Sequence, residues 1–125
     1  MRVRKLTPVL YVEEIESCLE FWFRLGFEKI AEVPEADRLG FVILKKDDVE
    51  IMYQTWVSVA NDIPALEDTP ARGSFLFIEV DDVEEIDRLL AGANYVIPRR
   101  TTFYGADEVI VREPAGNIVA FAQFA

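Results

Sequence analysis

The strongest constraint on this chain is an internal repeat. Slid against itself by 68 positions, Val12-Glu13-Glu14-Ile15-Glu16 lands on Val80-Asp81-Asp82-Val83-Glu84. At the same offset Glu50-Ile51-Met52-Tyr53-Gln54 lands on Ile118-Val119-Ala120-Phe121-Ala122, and Phe27 lands on Tyr95. One offset holds from the first segment to the last, so the chain reads as two copies of one supersecondary unit.

Periodicity supplies the content of each copy. Residues 6–12 alternate as a strand, with Leu6, Pro8, Leu10 and Val12 on one face and Thr7, Val9 and Tyr11 on the other. A helix is expected over 14–25, because Ile15, Cys18, Leu19, Trp22 and Leu25 form one apolar stripe and Gly26 follows. Strands are expected over 27–33, 39–45 and 49–54, with turns at 34–37 and 46–48. The second copy reads as a strand over 74–80, a helix over 82–90 capped by Asp81 or Asp82, and strands over 95–99, 108–112 and 118–124. A loop spans 101–106, and Glu113-Pro114-Ala115-Gly116-Asn117 is a strong turn signal. The expected fold is α+β, with two tandem βαβββ units making an open, cup-shaped sheet. Residues 1–125 form a single domain in this reading, with units at 4–54 and 73–125 and a linker at 55–72. That linker has room for a short helix over 57–60 or 63–66.

One such unit is too small to cover both faces of its sheet. Its helix covers one, and two units side by side curl into a trough lined by the others. Alternation puts Thr7, Val9, Tyr11, Glu50, Met52 and Gln54 on that floor from the first copy. The second copy adds Phe75, Phe77, Glu79, Ile118, Ala120 and Ala122. A mostly apolar cleft with a few polar groups suits a small organic ligand. A floor closed by packing or by a second subunit is the competing reading.

Composition narrows the partners. Thirteen basic residues stand against 23 acidic ones, for a formal charge of -10. Nucleic acid is a poor partner for that surface, and a cation is the electrostatically natural one, although acidity also serves solubility alone. No apolar run approaches the roughly 20 residues of a membrane span, and the basic start Met1-Arg2-Val3-Arg4-Lys5 lacks the apolar stretch of a signal peptide. A single cysteine, Cys18, fits a cytoplasmic location and falls on the buried helix stripe. The chain has no histidine, so neither a Ser or Cys nucleophile nor a metal site has its commonest helper.

Several segments resemble a known family. Leu6-Thr7-Pro8-Val9-Leu10-Tyr11-Val12-Glu13 with Phe21-Trp22-Phe23-Arg24-Leu25-Gly26-Phe27 is similar to the opening of vicinal oxygen chelate proteins. Phe77-Ile78-Glu79-Val80-Asp81-Asp82, Thr102-Phe103-Tyr104-Gly105, Glu108 and Glu113-Pro114-Ala115-Gly116-Asn117 resemble that superfamily's closing pattern in order and spacing. The group includes glyoxalase I, extradiol dioxygenases, fosfomycin-resistance enzymes and bleomycin-resistance proteins. Carried over by position, the resemblance puts metal-ligand places at Thr7, Met52, Phe75 and Ala120. Those side chains do not suit a hard or borderline divalent ion. The resemblance therefore points to the metal-free, bleomycin-resistance type: acidic homodimers that sequester a cationic drug, with no cofactor.

The expected function is metal-independent binding of a small cationic or aromatic molecule, with neither nucleic acid nor membrane as partner. Ligand-binding candidates are Tyr11, Glu50, Met52, Gln54, Trp56, Phe75, Phe77, Glu79, Tyr104 and Glu108. Trp56 could equally pack at a dimer interface, and Tyr104 borders the cleft in the resemblance. The alternative is a metal-independent lyase or isomerase that uses Glu50 or Glu79 as a general base. Against it stands the plainer reading of both as solvated or ion-paired strand carboxylates. Arg99, Arg100 and Arg112 could pair with those acids or with a ligand carboxylate, or could simply be exposed.

Overall fold

A computed structural model describes residues 1–67 and 73–125, which gather into two compact units. Residues 68–72, the end of the expected linker, lie outside the described residues.

The first unit runs β1 (Val9–Val12), α1 (Glu16–Arg24), β2 (Glu28–Glu35), β3 (Arg38–Lys46), β4 (Val49–Thr55) and α2 (Trp56–Asp62), then a 3-10 turn at Pro64–Leu66. Its sheet has the order β1-β4-β3-β2, with β1 parallel to β4 and the other neighbours antiparallel. One face of α1 carries Ile15, Cys18, Trp22 and Leu25 into the core, against Leu10, Val12, Val42, Leu44, Ile51 and Tyr53. The helix stops where Gly26 takes φ 91°. There the Gly26 and Phe27 N–H groups donate back to the Phe23 and Trp22 carbonyls, both at 3.0 Å. This satisfies carbonyls that the helix end would otherwise leave bare. Thr55 caps α2 by accepting from the Ser58 N–H at 3.2 Å, and α2 packs against β1, β3 and β4.

The second unit repeats the plan with β5 (Phe75–Glu79), α3 (Val83–Leu89), β6 (Asn94–Thr101), β7 (Ala106–Arg112) and β8 (Ile118–Phe124). Its sheet order is β5-β8-β7-β6. Of the two candidate caps for α3, Asp82 is the one used, accepting from the Glu85 N–H at 3.1 Å. Val109, Val111, Val119 and Phe121 form the buried face with Val83 and Leu90. The repeat is visible in the register. Val9 pairs with Met52, and Phe77 pairs with Ala120, which are the same two positions advanced by 68. The connection between β7 and β8 runs over 113–117, longer than the two-residue turn 47–48 between β3 and β4. It is closed by Asn117, whose N–H donates to Glu113 Oε1 at 2.7 Å and whose Oδ1 accepts from the Ser74 N–H at 2.8 Å.

Among the differences from the expected boundaries, three have a clear local cause. The first strand begins at Val9 instead of Leu6. It is an edge strand containing no donor at Pro8, and only the Pro8 carbonyl joins the ladder, accepting from the Met52 N–H at 3.0 Å. β2 continues through Pro34 to Glu35, because Ala36 at φ 57° and Asp37 close the hairpin by themselves. The loop expected over 101–106 shrinks. Thr102 accepts the Ala106 N–H on its side chain at 3.0 Å, and its own N–H donates to the Ala106 carbonyl at 2.7 Å. The sequence pattern missed this clasp because its chemistry is a local side-chain turn, not a hydrophobic period.

Candidate functional site

Each sheet keeps one face turned away from its helix. In the first unit that face carries Val9 and Tyr11 from β1, Phe41 and Ile43 from β3, and Glu50, Met52 and Gln54 from β4, as the pairings require. All except exposed Val9 are half-buried. Trp56, the first residue of α2, meets Tyr11 edge to face with ring centroids 5.1 Å apart. Gln54 Nε2 donates to the Ser58 hydroxyl at 3.1 Å. Glu50 is taken up by Lys5, whose Nζ lies 2.9 Å from Oε2.

The corresponding face of the second unit is more aromatic. Phe75 and Phe77 stand out from β5 with 62% and 49% of their surface exposed. Phe124, at the end of β8, lies 6.4 Å from Phe77 and 5.9 Å from Tyr104 between ring centroids. Phe103 is fully exposed at the tip of the 102–105 turn and packs edge to face on Tyr104. Ala120 and Ala122 form a floor of small side chains between these rings, with Ile110 and Glu108 beside them. Glu79 is exposed, and with Val80, Asp81, Gln123 and Phe124 it lines an open depression of about 440 Å3.

Glu108 is the polar centre of this face. It is 2% exposed. Arg100 places Nε and Nη2 each 3.0 Å from Glu108 Oε1, and the Tyr104 hydroxyl donates to Oε2 at 2.9 Å. Register brings the three together: Arg100 lies across the β6–β7 ladder from Glu108, and Tyr104 sits on the turn joining those strands. The hydrogen bond to Glu108, followed by desolvation and the carboxylate's charge, holds the Tyr104 phenol above its ordinary pKa. Neighbouring Arg99 turns to Glu84, Asp107 and Asp87. Neither arginine pairs with Glu50 or Glu79, the partners the sequence offered.

No family model and no curated protein matches the sequence. Solved structures do match the fold over almost the whole chain. A glyoxalase/bleomycin resistance protein/dioxygenase from Nocardioides is 20% identical with a TM-score of 0.73, over 99% of this chain and 85% of that one. A bleomycin resistance determinant encoded on the transposon Tn5 is 18% identical with a TM-score of 0.70, over 98% of each chain. The bleomycin-binding protein of Streptomyces verticillus, solved with copper(II)-bleomycin, is 21% identical with a TM-score of 0.65, over 100% of this chain and 99% of that one.

The chain has the glyoxalase/bleomycin-resistance fold.

The glyoxalase/bleomycin-resistance fold hosts many chemistries, so its presence does not name a reaction. The four places that the sequence resemblance assigns to metal ligands can be tested by donor type. Phe75 and Ala120 carry no donor atom, Thr7 offers a hydroxyl and Met52 a thioether. That set does not fit a divalent ion of the hard or borderline class. Among the described residues no group of three or more His, Cys, Asp or Glu side chains is placed to hold a metal ion. No helix of the described residues is long and apolar enough to cross a membrane.

Of the candidates, Tyr11, Glu50, Met52, Gln54 and Trp56 gather on the first unit's face, and Phe75, Phe77, Glu79, Tyr104 and Glu108 on the second's. Two residues of the second cluster were not among them. Phe124 follows Ala120 and Ala122 on the same alternation, so the strand pattern already carried its signal. The sequence offers Arg100 only as a possible partner of Glu50, Glu79 or a ligand carboxylate; its pairing with Glu108 was not legible, because it depends on a ladder with two register irregularities.

Proposed function

We propose that this chain is a metal-independent small-molecule-binding protein of the bleomycin-resistance type, which sequesters a cationic or aromatic compound as a homodimer. The observation that carries the reading is the aromatic cluster left exposed on the second sheet, Phe75, Phe77, Tyr104 and Phe124, beside the acids Glu79 and Asp81. Soluble domains rarely leave several large aromatic rings together in water without a use for them. Ring faces and carboxylates both attract a flat cation. The formal charge of -10 adds a long-range field of the same sign. The copper(II)-bleomycin complex of a protein with the same fold supports this ligand class.

A carboxylate-based lyase or isomerase draws less support. Glu50 is committed to Lys5, and Glu79 is exposed beside Asp81. The test is a titration with metal-free bleomycin and a panel of cationic aromatic compounds, followed by tryptophan fluorescence. Saturable quenching or enhancement by at least one compound is expected. No response across the panel rejects the reading. Light scattering reads the assembly, and a monomeric mass removes the homodimer from it.

A further inference from the structure

Four residues stand in one transverse row on the open face of the second sheet. Glu79 pairs with Ala122 across β5 and β8, Ala122 with Glu108 across β8 and β7, and Glu108 with Arg100 across β7 and β6. Paired residues share a face, and three strand spacings put the ends of the row about 14 Å apart. The order is acid, alanine, acid, arginine, and the two acids differ in kind. Glu108 is buried, and both its oxygens are taken by Arg100 and Tyr104. Its burial keeps that carboxylate out of a ligand's reach. Glu79 is exposed and makes no hydrogen bond or ion pair among the described residues.

Arg100 is the group that Glu108 leaves available. Its side chain is 53% exposed, and a guanidinium has five N–H donors, of which the contacts to Glu108 use only part. A guanidinium already fixed by a buried carboxylate does not have to be ordered when a ligand arrives, which improves recognition of an oxygen acceptor. The same carboxylate fixes the Tyr104 ring through its hydroxyl, and that ring adjoins Phe124. Phe124 in turn lines the acidic depression with Glu79 and Asp81.

We infer that this row is a polarised recognition strip for a planar aromatic molecule that carries a positive group at one end and a carboxylate at the other. Arg100 is the specificity-determining residue and donates to the oxygen. Glu79 and Asp81 take the positive end, and Phe124 and Tyr104 hold the ring between. Glu108 touches no ligand; it is a positioning residue acting through Arg100 and Tyr104. This inference rests on the small-molecule reading above and narrows it from any flat cation to one with an acceptor.

The probes are rhodamine B, a planar xanthylium cation that carries its carboxylate on a pendant ring, and its methyl ester, which keeps the cation and loses the anion. Both are titrated by fluorescence anisotropy. The wild-type protein is expected to bind the acid about tenfold more tightly than the ester, the scale of one charge-assisted hydrogen-bonded pair. Arg100→Lys keeps a cation beside Glu108 but loses the planar fork, and Glu108→Gln keeps the shape but frees the arginine. Each should bring the two affinities to within about twofold of each other, with the ester's own affinity little changed. Glu79→Gln should weaken both dyes alike and preserve their ratio. A thermal melt of each variant confirms folding, and the acid-to-ester ratio is internal to each protein, so general damage does not mimic the effect. Equal binding of acid and ester by the wild type, or a ratio unmoved in Arg100→Lys and Glu108→Gln, overturns the strip and leaves the small-molecule reading standing. Binding of bleomycin without either dye also overturns the strip. No binding of any compound rejects both.

Discussion

Trp22 and Tyr53 show what single residues contribute. Both are fully buried, and Trp22 Nε1 donates to the Tyr53 hydroxyl at 2.9 Å inside the first core. A buried indole N–H without an acceptor is costly, so the pair pins α1 to β4 in one register. Trp22→Phe should destabilise the protein by about 2 kcal/mol, through lost volume and a lost donor, as read from the midpoint of urea unfolding. Tyr95 makes a prediction in pH. Desolvation first, then its hydrogen bond to Asp87, raise the phenol from 10.0 to about 12. The folded state therefore keeps this proton longer than the unfolded state. The stabilisation is complete below the unfolded value of 10.0 and is lost as pH rises through about 12. Melting temperatures taken across that window should fall more steeply for the wild type than for Tyr95→Phe; parallel curves contradict the assignment. The burial of Trp22 and Cys18 was legible in the helical spacing. Their polar partners were not, because spacing assigns a face and is silent about which atom lies opposite.

At the level of elements, alternation and punctuation carried most of the information. Every strand and both main helices were legible, since each has a clear period. The misplaced ends share one cause: side chains or unusual backbone angles ended the element where hydrophobicity did not. Gly40 is a further case. A Cβ built there would lie 2.6 Å from Glu35 Cβ and 3.2 Å from Ser58 Cβ, so β2 and α2 both close on a position that tolerates no side chain. Gly40→Ala should cost about 1–3 kcal/mol, the range for overpacking a filled site. The loss should appear first as faster amide exchange in β2 and α2. Unchanged stability would mean that this region accommodates a methyl group freely.

For the molecule as a whole, the repeat was the most useful property of the chain. It was expected to place Met52 and Ala120 equivalently, and the parallel pairings of the two sheets do so residue for residue. The identity of the residues there then carries the functional argument. Phe75 and Ala120 bring no donor to a metal, while Phe75, Phe77, Tyr104 and Phe124 bring exposed rings beside acids. The first unit's strand candidates, Tyr11, Glu50, Met52 and Gln54, were legible from alternation alone. The arrangement around Glu108 was not, because it needs the register of β6 on β7. The central claim is binding that requires no metal. Its most direct test is a calorimetric titration of metal-free bleomycin and the most responsive cationic aromatic compound into the protein in excess chelator. A saturable isotherm in chelator is predicted. Silence in chelator, with binding restored only by an added divalent metal, would contradict it.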